Sequence, residues 1–312
     1  VAWGGECIVA GAGFAAGLSG RQDRWWLRVL QVIGWLMGGM ILVQAAVAPP
    51  FPRGWVAPTE RSVLPFRVTG LWHNPNQTGL FLAYLLPLFF ANAEERAARG
   101  GWSRAFLTIV LAGLTATALL FTYARTAWVA ALVALFYYWG PRETANRRRL
   151  IVLLFLLVGF LPSVAGRIGR NPLASGTLDY RFMIWQETWG LVQKYPLAGG
   201  GKKELQATLR PLRVDHAHNH YLQIAAEKGI PAFLLFGWLL LRFWKAACSS
   251  GQAGHDDRLT RGVKAAFTGQ LVAGLAESIW AVPLGSFLFW FAFALVAAER
   301  EPVVTGEGEV SV

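Results

Sequence analysis

Nine apolar segments, at about 1–19, 29–48, 76–92, 105–122, 126–140, 150–166, 229–247, 262–280 and 283–298, decide what this chain can become. Lipid offers no partners for backbone N–H and C=O groups, so each segment must close its hydrogen bonds internally as a helix. Several fall short of the roughly 20 residues that a straight span needs, which leaves their boundaries soft. The chain is therefore read as an all-α integral membrane protein of about nine transmembrane helices. Only 15% of its residues are charged, against about 25% in an ordinary soluble domain. Together with a mean hydropathy of +0.39, this excludes a disordered chain and a water-soluble enzyme of ordinary kind. Cys7 and Cys248 lie far apart on apolar segments, which excludes a disulfide scaffold and a cysteine-based zinc module. The net charge of +11, from 29 basic and 18 acidic residues, reads as basic cytoplasmic loops and contact with anionic membrane lipid. Nucleic acid is not expected as a partner.

Orientation follows from Lys and Arg in the short loops. Arg21, Arg24 and Arg28; Arg96, Arg99 and Arg104; Arg142, Arg147, Arg148 and Arg149; and Arg242, Lys245, Arg258 and Arg261 fall on alternate connections. They are placed in the cytoplasm with the tail after Arg300. The N-terminus then lies outside, although the first segment has no basic stretch before it and does not read as a cleavable signal. An odd number of preceding helices would account for this. Three regions result: an N-terminal bundle over 1–166 with six helices, an external loop over 167–228, and three C-terminal helices with a tail over 229–312. Within 167–220 eight basic residues face four acidic ones. An outward loop this basic calls for an anionic ligand.

The densest polar cluster is Asp215-His216-Ala217-His218-Asn219-His220-Tyr221. Alternate spacing places three imidazoles on one face of an extended strand. A metal site, a loop without a chemical role and a catalytic base are all open; the base is favoured because imidazole titrates near neutral pH. Arg125 sits between two apolar runs, where an arginine either snorkels or meets an anion. Arg181 opens a segment whose apolar residues 182, 185, 189 and 192 fit one helical face, an amphipathic helix lying on the membrane. Glycines 199–201, followed by Lys202 and Lys203, lack the Gly-Lys-Ser/Thr of a phosphate-binding loop and read as a flexible turn. Glu277 lies near the outer end of its helix, as a functional or an interfacial carboxylate. In His73-Asn74-Pro75-Asn76, Asn76 is read as an N-cap. His73, Arg125, Arg181, His218 and Glu277 all fall on the outer face, where nucleotide-activated donors are absent. A substrate delivered already activated in the membrane, such as a lipid-linked diphosphate, suits these basic groups.

The chain resembles the O-antigen ligase and polymerase superfamily. His218-Asn219, nine residues and then Gly229 is similar to the ligase signature, although Ala232 departs from its last position. His218-Asn219-His220-Tyr221-Leu222-Gln223 with Glu227-Lys228-Gly229-Ile230 carries the closest likeness. Arg181 with Trp185, then Tyr195-Pro196-Leu197-Ala198-Gly199-Gly200-Gly201, resembles the run from the external-loop arginine to a Pro-Leu-x-Gly element. Arg125-Thr126-Ala127-Trp128 and the stretch from Gly70 to Gly79 resemble two further elements.

The resemblance implies a C-type glycosyltransferase bundle of about twelve helices, three of which are missing before residue 1. It implies glycan transfer from an undecaprenyl-diphosphate carrier to a glycan, lipid or protein hydroxyl. The reaction would need neither metal nor cofactor and would occur on the outer face of the cytoplasmic membrane. His218 would be the base, and Arg125 and Arg181 would hold the diphosphate; Asn219, Lys202, Lys203, Glu277 and His73 are expected to bind substrate. A polymerase or a protein O-oligosaccharyltransferase of the same superfamily fits the motifs equally. A transporter with an external lid is the alternative of another class, disfavoured because the charged residues gather at one face rather than at the bilayer midplane.

Overall fold

The computed structural model describes residues 2–47, 67–72, 74–139, 177–249, 258–279 and 282–297. The expected segment 150–166 and His73 lie outside them. Within them there are helices and no strand. They are α1 (Ala2–Asp23), α2 (Trp25–Val47), α3 (Pro75–Ala98), α4 (Trp102–Phe121), α5 (Arg125–Tyr138), α6 (Thr177–Lys194), α7 (Gly201–Leu209), α8 (His220–Ser249), α9 (Arg258–Ala273) and α10 (Pro283–Ala297).

Three helices are long and apolar enough to cross a membrane: α2, α4, and α8 over His220–Lys245. The apolar stretches Ile8–Ser19, Arg125–Tyr138 and Pro283–Val296 are shorter. The expected nine spans are thus matched by three of full length and apolarity among the described residues. Helices α2, α4 and α8 turn large apolar side chains outward: Val32 and Leu36, Phe106 and Leu107, Leu234 and Leu241 are all exposed. Such surface on water would drive aggregation, and lipid is its natural contact. Helix α3 is buried on nearly every side. It packs against α4, α5 and α9, while α1 packs on α10 and α6 on α8. Gly13 and Gly17 let α1 approach the α10 backbone: a Cβ at either would stand 2.5 Å from the carbonyl oxygen of Phe287 or Phe291.

Asn74, not Asn76, caps α3. Its side chain accepts the amides of Asn76 and Gln77, with Pro75 at the first helical position, where its missing N–H costs nothing. The expected span 262–280 also ends early. Helix α9 stops at Ala273, and a turn carries the chain to Glu277, whose amide bonds the Ala273 carbonyl at 2.9 Å.

Helices α6 and α7 and the start of α8 share a small apolar core of their own, formed by Ile184, Leu191, Val192, Leu205, Leu209 and Ala226. This turns α6 in part from the expected face: Val192 is in this core and Trp185 packs against it. Ile184, Thr188 and Leu191 are buried, whereas Phe182 and Trp189 are more than half exposed.

The turn after α6 is not flexible. The Gly200 amide donates to the Ala226 carbonyl and the Ile230 amide to the Pro196 carbonyl, each at 2.8 Å. Gly199 (φ +72°) and Gly229 (φ +87°) are the residues that permit this crossing. Helix α8 therefore begins nine residues before the expected span, and Gly229 is a kink within it.

A carboxylate shared by His218 and Arg181

The histidine loop enters α8 through two constrained residues. His218 adopts φ +49°, a left-handed conformation rare for a residue with a Cβ and found most often where function over-determines the backbone. The next residue, Asn219, accepts the Leu222 amide on its side chain at 3.0 Å and so caps α8. Ala217 is fully buried, and its amide bonds Gln223. These contacts fix where the imidazole of His218 points.

His218 Nδ1 lies 3.1 Å from Glu277 Oε2. The other oxygen of Glu277, Oε1, accepts from Arg181 Nη2 and from Asn76 Nδ2, both at 3.0 Å. Burial disfavours the charged form of Glu277, but the hydrogen bond with His218 and the charges of His218 and Arg181 outweigh it and hold the carboxyl below its usual range, as an ionised acceptor. His218 Nδ1 is then the donor to Glu277, and Nε2 is the ring nitrogen left to exchange a proton with a substrate. Helices α3 and α6, the loop before α8 and the turn after α9 each supply one member of this group.

Asn76 is itself held. Arg67 Nη2 donates to its Oδ1 at 2.6 Å, while Arg67 Nε donates to the Thr122 carbonyl at 2.9 Å. A continuous set of bonds therefore runs from the α4–α5 turn through Arg67 and Asn76 to Glu277. The Tyr180 hydroxyl ties α6 to the Leu212 carbonyl.

The three histidines do not share a face, as extended spacing would have placed them. The rings of His216 and His218 stand 4.1 Å apart. His216 Nδ1 bonds Asp215 at 2.6 Å, a second carboxylate–imidazole pair beside the first. Burial, and then the neighbouring charge of His218, hold His216 below the usual imidazole range; the hydrogen bond from His216 holds Asp215 low. His220 turns away into the core, 7% exposed, with its ring 5.9 Å from that of Phe236.

A cavity of about 1060 Å³ opens onto this group. One part of its wall is charged, with Arg67, Lys202, Arg213, His216, His218 and Glu277; another is apolar, with Leu80, Phe81, Phe267, Leu288 and Phe289. Of the expected site residues, His218, Glu277 and Lys202 line it, and Arg181 joins it through Glu277. Arg125, half-buried at the head of α5, does not line it, nor do Lys203 and Asn219. Arg67 lines it beside Asn76, and neither was expected there. The signal for Arg67 was slight: one arginine among apolar neighbours just before an outer helix start.

A ring nitrogen of His216, one of His218 and an oxygen of Glu277 lie within 4.8 Å of one another, the spacing of a metal-ligand set. Arg181 and Asn76 both donate to Glu277 Oε1 while Oε2 faces His218, and a guanidinium at 3.0 Å competes with a cation for that charge. The donors fit a hydrogen-bonded dyad better than a coordination sphere.

Residues 107–237 match the family model described as O-antigen ligase. No curated protein matches the chain. The family match supports the O-antigen ligase superfamily, glycan transfer of the ligase or polymerase kind in general, and a membrane protein. Arg125, Arg181, His216 and His218 lie inside the matched stretch; Arg67, Asn76 and Glu277 lie outside it.

Proposed function

With an O-antigen ligase domain over residues 107–237 as premise, we propose that this protein transfers a glycan from an undecaprenyl-diphosphate carrier to an acceptor hydroxyl. The proposed site is the outer face of the cytoplasmic membrane. The observation that carries this reading is the His218–Glu277 pair, with Arg181 on the same carboxylate, opening into a cavity part charged and part apolar.

His218 Nε2 takes the proton from the acceptor hydroxyl as its oxygen bonds the anomeric carbon. The bond from that carbon to the diphosphate oxygen breaks, and the electron pair leaves with the diphosphate. Arg181, with Arg67 and Lys202 at the cavity wall, offsets that growing negative charge. The acceptor supplies the nucleophile, so no covalent enzyme intermediate is required. The apolar wall suits a donor that carries a lipid; a nucleotide sugar would have no use for it. Arg125 keeps a supporting place at the head of α5, beside the turn that Arg67 holds through the Thr122 carbonyl.

Two measurements test this. The purified chain in lipid bilayers should release undecaprenyl diphosphate from a labelled oligosaccharide donor only when an acceptor glycan is present. Equal turnover of a nucleotide sugar would sink the reading. The topology is tested after Cys7 and Cys248 are replaced by Ser. Glu187→Cys should then be labelled by an impermeant thiol reagent from outside intact cells, and Thr144→Cys should not. The reverse pattern would put His218 in the cytoplasm, where lipid delivery has no advantage.

A further inference from the structure

The buried base leaves a problem of proton traffic. His218 and Glu277 side chains are only 19% and 8% exposed, so a proton taken from the acceptor rests on a poorly solvated pair. Exposure rises step by step through the neighbouring pair: the side chain of His216 is 33% exposed and that of Asp215 is 74% exposed. The two rings stand 4.1 Å apart, and both line the cavity. Asp215 holds His216 Nδ1 as Glu277 holds His218 Nδ1, so each imidazole presents its other nitrogen for exchange.

We propose that His216, oriented by Asp215, relays the proton between His218 and solvent in each turnover. This rests on the glycan-transfer reading and assigns His216 a task within it. After attack, His218 is an imidazolium with both nitrogens protonated. It passes the Nε2 proton to the lone pair of His216, directly or through one water, the two ring centroids standing 4.1 Å apart. His218 returns to its neutral, base-competent tautomer, and His216 releases the proton to water on the Asp215 side. His216 is suited to a brief stay by the proton, because burial favours its neutral form. The other ionisable groups lining this cavity are Arg213 beside the loop, Tyr180 on α6, Lys202 on α7, Arg67, Tyr84 on α3, and Glu277 after α9.

The test uses the full chain in bilayers with an undecaprenyl-diphosphate oligosaccharide as donor and a second glycan as acceptor, in weakly buffered medium. His216→Ala and His216→Asn should lower kcat roughly 10- to 100-fold, less than loss of a direct base, with KM nearly unchanged. Added imidazole should restore kcat in proportion to its concentration and should leave the unmutated enzyme unaffected. Asp215→Asn should show a smaller loss of the same kind. Native kcat in both His216 variants at low buffer, or a loss that imidazole does not repair, would overturn the relay while leaving glycan transfer intact. Absence of turnover in the unmutated chain would instead overturn the glycan-transfer reading, and the relay with it.

Discussion

His218→Ala should lower glycan transfer by about 10²–10⁴-fold, the range for removal of a positioned general base. The protein should still insert and fold, because the side chain is part-buried at a cavity wall and holds no apolar core together. Glu277→Gln should show a second kind of loss. An amide can accept from His218 or from Arg181, but its NH₂ end faces one of the same donors. Arg181 would also lose its counter-charge in a part-buried place, and breaking a buried pair by removing one partner costs about 3–5 kcal/mol. Arg181 is 20% exposed, so water recovers some of that cost. Glu277→Gln should therefore lower both kcat and thermal stability, whereas His218→Ala should lower kcat alone. Undecaprenyl-diphosphate release and a thermal melt in detergent separate the two. Activity of His218→Ala within a few-fold of the unmutated enzyme would remove it from the role of base.

How much of this was legible beforehand depends on the range of each contact. The apolar segments predicted helices that α1 to α5 and α8 to α10 bear out, since helix formation is local. Their ends were less legible. Glu277 looked like part of a helix because Ala276, Ile279 and Trp280 extend its apolar run; the chain turns there to bring a carboxylate under His218. His218, Arg181 and Glu277 stood out as charged or titratable groups at apolar borders. Their meeting on one carboxylate did not, because 96 positions separate Arg181 from Glu277 and 59 separate His218 from it. Asn76 was misread for a physical reason. Asn74 and Asn76 flank Pro75, both can cap a helix, and the one that does frees the other to reach Glu277 across 201 positions. No periodicity records such a choice.

Gly199→Ala and Gly229→Ala should each unseat the loop subdomain and abolish transfer without touching a charged residue of the site. Gly229, at φ +87° and ψ 168°, occupies a region of backbone space essentially closed to residues with a Cβ. That conformation costs about 1–3 kcal/mol for any other residue. Space is a second obstacle. A Cβ at Gly229 would lie 2.1 Å from the Leu197 carbonyl oxygen, and one at Gly199 would lie 2.3 Å from the Glu227 carbonyl carbon. These neighbours are backbone, so neither can swing aside as a side chain does. Relief requires parting the two segments, which breaks the Gly200–Ala226 and Ile230–Pro196 hydrogen bonds. Arg181 stands on α6 at one side of this crossing and His218 precedes α8 at the other. Loosening it separates the guanidinium from the base while both remain chemically intact. Limited proteolysis between α6 and α7 should accelerate in both variants, and transfer should fall with it. A Gly229→Ala protein that resists protease and transfers glycan normally would show that the crossing does not position the site.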